Sequence, residues 1–99
     1  HIQDYGWVGW TGNGAVTGTT GESRRLEAIE IRLTGAASEQ YDVYYRVHSQ
    51  NFGWLDWASN SGPAGTAGYA YRVEAIQIML VKKGGAAPGA TERPFVQNS

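Results

Sequence analysis

The sequence predicts an all-β fold of two pseudo-equivalent repeats, each about 47 residues long. Three observations predict it. Shifting the chain by 47 residues lays 1–33 over 48–80 without a gap, and 15 of those 33 pairs are identical. Among them are His1/His48, Gln3/Gln50, Gly6/Gly53, Trp7/Trp54, Trp10/Trp57, Arg25/Arg72 and Glu27/Glu74. One structural unit is therefore built twice. Second, Tyr41, Val43, Tyr45 and Val47 fall on alternate positions, the pattern of a strand with one covered face. Third, 14 glycines interrupt the chain too often for long helices.

The elements follow in order. The whole chain, 1–99, reads as a single domain. Repeat one spans 1–34 and lacks a leading strand. Repeat two spans 41–81 and has one, YDVYYRV at Tyr41–Val47. An aromatic strand comes next, GWVGW or GWLDW. The stretches TGNGAVTGTTGES and ASNSGPAGTAGYA read as turns, with Gly free to take positive φ and Asn13 and Asn60 suited to turn positions. The last strand is Arg25–Leu33 or Arg72–Leu80. In its first copy Ile29, Ile31 and Leu33 share a face with Arg25 and Glu27, while Glu30 and Arg32 lie opposite. Leu, Glu and Ala also favour helix. The period of two and the Gly-rich flanks favour strand. Residues 82–99 form a connector and tail. Lys82–Pro94 reads as a mobile linker, and ERPFVQNS offers a replacement strand for repeat one. A β-prism-like or trefoil-like assembly fits these short antiparallel strands, with a small β-sandwich as the alternative. Those threefold folds want three units. Two units imply a compact variant or a homo-oligomer that completes it.

Composition removes several functions. Eight basic and nine acidic residues give a net charge of −1, so no basic field exists for nucleic acid. No apolar run approaches the roughly 20 residues of a membrane span, so membrane insertion is not expected. The absence of cysteine excludes disulfides, thiolate metal sites and cysteine nucleophiles. Two histidines are too few for a sound metal site, and no metal or cofactor is expected. TGTTG at 17–21 lacks the lysine of a phosphate loop. Glu27 and Glu74 resemble a glycosidase pair only superficially. Each repeat carries its own copy at the same place, which suits repeated binding rather than one asymmetric active site. No catalytic residues are assigned, and the chain is not expected to be an enzyme.

The candidate ligand-binding residues are duplicated too. Trp7, Trp10, Trp54 and Trp57 offer planes on which a sugar ring stacks, its hydroxyls caught by nearby polar groups. On a strand, positions three apart face opposite ways. This assigns Trp7 and Trp54 to the core and opens Trp10 and Trp57 to a surface role. On that reading Trp57→Ala removes binding and spares the fold. His1 and His48, with Gln3 and Gln50, both donate and accept hydrogen bonds, as hydroxyl recognition requires. Asp4 and Asn51 stand beside them. Bonding to turn backbone is the plainer role, especially for the glutamines. Arg25/Glu27 and Arg72/Glu74 supply further polar contacts. An ion pair at the edge of the core is the favoured reading, and a clamp for a sugar or a wall-peptide carboxylate the alternative.

The ordered block H-x-Q-x-x-G-W-x-x-W, then G-T-x-G, then R-x-E-A-I-x-I-x-L resembles the ChW repeats, clostridial hydrophobic repeats bearing a conserved tryptophan. The resemblance covers His1–Leu33 and Tyr41–Leu80. It implies an extracellular or cell-surface bacterial protein, or an endolysin tail, with tandem repeats serving wall binding, carbohydrate binding or adhesion. The implied partner is a bacterial cell-wall polymer or other glycan, with a protein partner as the alternative. The repeats differ at Gly9/Asp56, Thr20/Ala67 and Glu22/Tyr69, so duplicated sites need not be equal.

Overall fold

The computed structural model describes residues 26–98. His1, Gln3, Asp4, Trp7, Trp10, Arg25 and the turn-rich stretch of repeat one lie outside the described residues.

The architecture is all-β, as expected, and is organised around the leading strand of repeat two. Labelled in chain order, the elements are β1 (Ala28–Ile29), α1 (Ala36–Gln40), β2 (Tyr41–Ser49), β3 (Gly53–Trp54), β4 (Ala58–Ser59), β5 (Ala64–Ala67), β6 (Val73–Lys82) and β7 (Phe95–Gln97). The alternation that predicted β2 also decides its faces: Val43, Tyr45, Val47 and Ser49 are buried. β6 runs antiparallel along one edge of β2, from Tyr41 opposite Lys82 to Ser49 opposite Val73. β3 and β4 pair antiparallel with β2 at His48–Ser49 and Tyr44–Tyr45. The tight return into β3 needs left-handed backbone at Asn51 (φ 71) and Gly53 (φ 75).

A second sheet joins three parts of the chain. β5 of repeat two lies between β1 of repeat one, antiparallel, and β7 of the tail, parallel. Val43, Tyr45, Val47, Leu55, Ala58, Ala64 and Val96 form the core, with Ile29, Ile31 and Leu33 of repeat one packed against it. The described end of repeat one thus packs onto the core built by repeat two and the tail. Tyr45 is fully buried, and burial pushes its phenol pKa up. Its hydroxyl donates to the Gly62 carbonyl, which satisfies the one polar group a buried tyrosine carries.

Several expectations are corrected. β5 lies inside a stretch read as turn. Its residues are small, and Gly65 (φ 124) faces Ala28 so closely that a Cβ would lie 2.4 Å from the Glu27 carbonyl oxygen. Glycine marks close approach there, not a turn. The predicted strand Arg25–Leu33 shrinks to Ala28–Ile29 among the described residues. The equivalent strand of repeat two has β2 beside it over its whole length, whereas here only Ala28 and Ile29 are paired, to Gly65 and Ala64. Beyond Ile29 the Ser61 N–H donates to the Ile31 carbonyl at 2.8 Å. The tail does form a strand, and among the described residues it pairs with β5 of repeat two. The linker is fastened: Trp57 N–H donates to Ala90 (2.9 Å), Asp56 N–H to Arg93 (3.3 Å), and Arg93 N–H to the Asp56 carboxylate (2.9 Å). The short helix α1 was not predicted; Ala, Glu and Gln favour it.

Asn60 does occupy a turn (φ 43). Its side chain accepts from Val43 N–H and donates to Asp42, 3.0 Å in each case. Asp42 also receives Lys83 Nζ at 3.0 Å and Gly84 N–H at 3.2 Å. Lys83, Asn60 and Gly84, in that order, hold its carboxyl below the ordinary value of 3.8.

Candidate functional site

The candidate site lies on the face of β2 turned away from the core. Between the buried positions, Tyr44, Arg46 and His48 point outward. Arg46 is the centre. Its guanidinium stands 4.7 Å from the Trp54 ring centroid and 4.8 Å from that of Trp57. Its Nε donates to Gln77 Oε1 on β6 at 2.7 Å. Both indoles therefore hold one cation by cation–π attraction.

The two tryptophans differ in exposure, against expectation. Trp54 is 45% exposed, whereas Trp57 is 7% exposed. Neither joins the main apolar cluster. The alternation failed because the strand stops at Trp54 and resumes only at Ala58. Leu55, not Trp54, turns into the core. Trp57 is covered by the linker. A Cβ on Gly89 would lie only 3.0 Å from Trp57 Nε1, so the linker backbone packs directly against the indole edge. The expectation that Trp57→Ala would spare the fold does not survive this burial.

His48 sits opposite Trp54 in the β2–β3 ladder and meets its ring edge-on, 5.3 Å between centroids and 88° between planes. Its Nδ1 lies 3.1 Å from Glu74 Oε1, and Arg72 donates to Glu74 Oε2 at 3.2 Å. Glu74 was expected on the Ile-bearing face. It is instead the extra residue between the pairs His48–Ala75 and Ser49–Val73, where the β2–β6 register shifts. Such a bulge re-aims a side chain, and here Glu74 reaches His48 on the outer face. The predicted Arg72–Glu74 ion pair is present but partly exposed.

Gln50 and Asn51 take structural positions. The Gln50 N–H donates to the Arg72 carbonyl at 2.9 Å, and its side-chain oxygen accepts from the Arg72 N–H at 3.4 Å. Asn51 is exposed in the left-handed turn. Glu27 is buried, and its carbonyl accepts from Thr66 N–H at 2.9 Å. It stands with β5, apart from the Trp54 cluster. The fold thus gathers His48, Trp54, Arg72 and Glu74 at one end of β2, with Arg46 and Trp57 beside them. Arg46 and Gln77 were missed. The alternation of β2 held the signal, since Arg46 is two residues before His48 on the polar face.

Among the described residues, no group of three or more His, Asp or Glu is placed to hold a metal ion. No helix there is long and apolar enough to cross a membrane. What remains is a half-exposed indole braced by a cation and an imidazole, which are themselves bonded to Gln77 and to Glu74 with Arg72.

The family model described as Clostridial hydrophobic W, ChW, matches residues 1–35 and 48–82, and the chain belongs to that family. The first matched segment covers repeat one, and the second covers repeat two from His48 onward, leaving Tyr41–Val47 outside it. No curated protein and no solved structure gives a significant match.

Proposed function

We propose that this pair of clostridial hydrophobic W repeats is a non-catalytic module that binds a bacterial cell-wall polymer or another glycan through Trp54. The observation that carries the reading is the half-exposed Trp54 indole, held in place by Arg46 and His48. An immobilised aromatic plane loses little freedom when a sugar ring stacks on it. The surrounding donors and acceptors match ring hydroxyls. The family is associated with bacterial surface proteins, which agrees with a targeting role in an extracellular, surface or lysin protein. Weak single-site affinity would be raised by repetition.

Sedimentation of the chain with purified wall material tests this. Wild type co-sediments, and Trp54→Ala loses most binding while keeping its far-UV circular dichroism. Trp57→Ala loses binding together with fold. Failure of wild type to bind any wall fraction or glycan removes the proposal. Trp and Arg are also the residue types that anchor protein interfaces, and the Arg46–Trp54 pair supports protein adhesion as a second reading. Binding that survives periodate treatment of the target selects it.

A further inference from the structure

Arg46 is a partly buried cation that no carboxylate among the described residues pairs with. Lys83 pairs with Asp42, and Arg72 with Glu74. The Glu74 carboxylate is taken by His48 and Arg72. That of Asp56, next to Trp57 in the chain, accepts from the Arg93 N–H. With Arg72 and Glu74 cancelling, Arg46 leaves the Trp54 site one positive charge, in a chain whose net charge is −1. The two indoles attract that charge without neutralising it.

The way Arg46 is held decides which of its groups are left. Nε–H is spent on Gln77 Oε1 at 2.7 Å. Trp54 and Trp57 stand over the guanidinium at 4.7 and 4.8 Å. The N–H groups on Nη1 and Nη2 remain, with no acceptor among the described residues. They form a planar fork, the geometry that grips a carboxylate or a phosphate through parallel bonds. Gln77 and the two rings also fix the side chain in advance, so little freedom is lost when the fork is filled. A neutral hydroxyl would accept from the same groups, but it would leave the partly buried charge uncompensated.

We propose that Arg46 receives an anionic group, a carboxylate or a phosphate, of the polymer that stacks on Trp54, so that the module selects acidic wall polymers over neutral ones. This selectivity rests on the Trp54 reading given above. Arg46 takes one face of the Trp54 indole, so a sugar ring stacks on the other. The anion is then carried by a substituent or by a neighbouring unit that passes the indole edge. The ligand is a stretch of polymer, not a single sugar.

Co-sedimentation of the full chain with purified bacterial wall over a sodium chloride series tests the proposal, with circular dichroism confirming the fold of each variant. Wild-type affinity should fall as salt rises. Arg46→Gln should bind the untreated wall at least about tenfold more weakly, with a flatter salt dependence. Arg46→Lys keeps a cation against the indoles and should keep the salt dependence, at reduced affinity because it lacks the fork. Carbodiimide amidation of wall carboxyl groups and hydrofluoric acid removal of phosphodiesters distinguish the sources. Wild-type binding lost to the first names a carboxylate, and binding lost only to the second names a phosphate. If Arg46→Gln binds more weakly but keeps the wild-type salt dependence, Arg46 is only a brace for Trp54 and the proposal is overturned. Wild-type binding that survives both treatments and high salt also overturns it and leaves the Trp54 reading standing. Wild type that binds no wall fraction removes both.

Discussion

Glu27-Ala28-Ile29 and Glu74-Ala75-Ile76 are the same tripeptide in opposite surroundings. Ala28 is completely buried, and Glu27 nearly so. Ala75 and Glu74 are exposed. The first copy ends in a strand of two residues that is pressed onto β5. The second lies in a strand of ten, paired along the whole of β2, with its apolar face open. The long ladder comes from β2, which runs beside the second copy from Tyr41 to Ser49. The burial of Ala28 comes from β5 of repeat two, which lies directly against it. The difference teaches that the motif is an adhesive strand whose burial is decided by its neighbours.

The sharpest way to break the comparison is at the contact that only repeat one's strand makes. Gly65→Ala places a methyl group against the Glu27 carbonyl in a backbone conformation that L residues resist. A loss of about 3 kcal/mol or more is expected in urea unfolding. Retained stability would show that β1 and β5 separate easily. Next, the same substitution at both copies should diverge. Ala28→Leu overpacks a closed site and should cost about 2–3 kcal/mol, while Ala75→Leu on the exposed strand should stay within about 0.5 kcal/mol in dilute solution. Equal losses would erase the distinction. A milder version uses Ile31→Ala, with about 1–2 kcal/mol expected for a half-buried side chain, against Ile78→Ala at under about 0.5 kcal/mol. Melting temperatures are enough to rank these two.

The smallest effect concerns the anchor that fixes the end of the β2–β6 ladder. Lys83, Asn60 and Gly84 stabilise the charged form of Asp42 and lower its pKa. The resulting stability is present above the unfolded value and is lost as pH falls through the lower folded value. Asp42→Asn should therefore lower the melting temperature near neutral pH, and the gap from wild type should close below the ordinary carboxylate range. A gap that persists at acid pH would assign the loss to packing instead of charge.

Much of this organisation was readable in the residues. The alternation Tyr41, Val43, Tyr45 and Val47 placed β2 and its buried face correctly, because strand geometry is strictly periodic. The second-copy strand was found within about two residues, the usual uncertainty of strand ends. β5 was not readable, since Ala-Gly-Thr-Ala has no strand propensity of its own and is strand only because β1 and β7 flank it. The site was half readable. His48, Trp54, Arg72 and Glu74 were named, but the exposure of Trp54 and Trp57 was exchanged. A local rule predicted it, whereas a linker some 30 residues away decided it.

By itself, the sequence determined the duplication, the all-β class, the ChW membership and the polar and apolar faces of β2. These depend on residue identity and on periods of two and 47, which survive without coordinates. Only the tertiary structure decided which tryptophan is covered, where Glu74 points and which copy of E-A-I-x-I-x-L is buried. A bulge, a linker laid over an indole and a neighbouring repeat are long-range events. No short stretch of sequence contains both sides of such a contact.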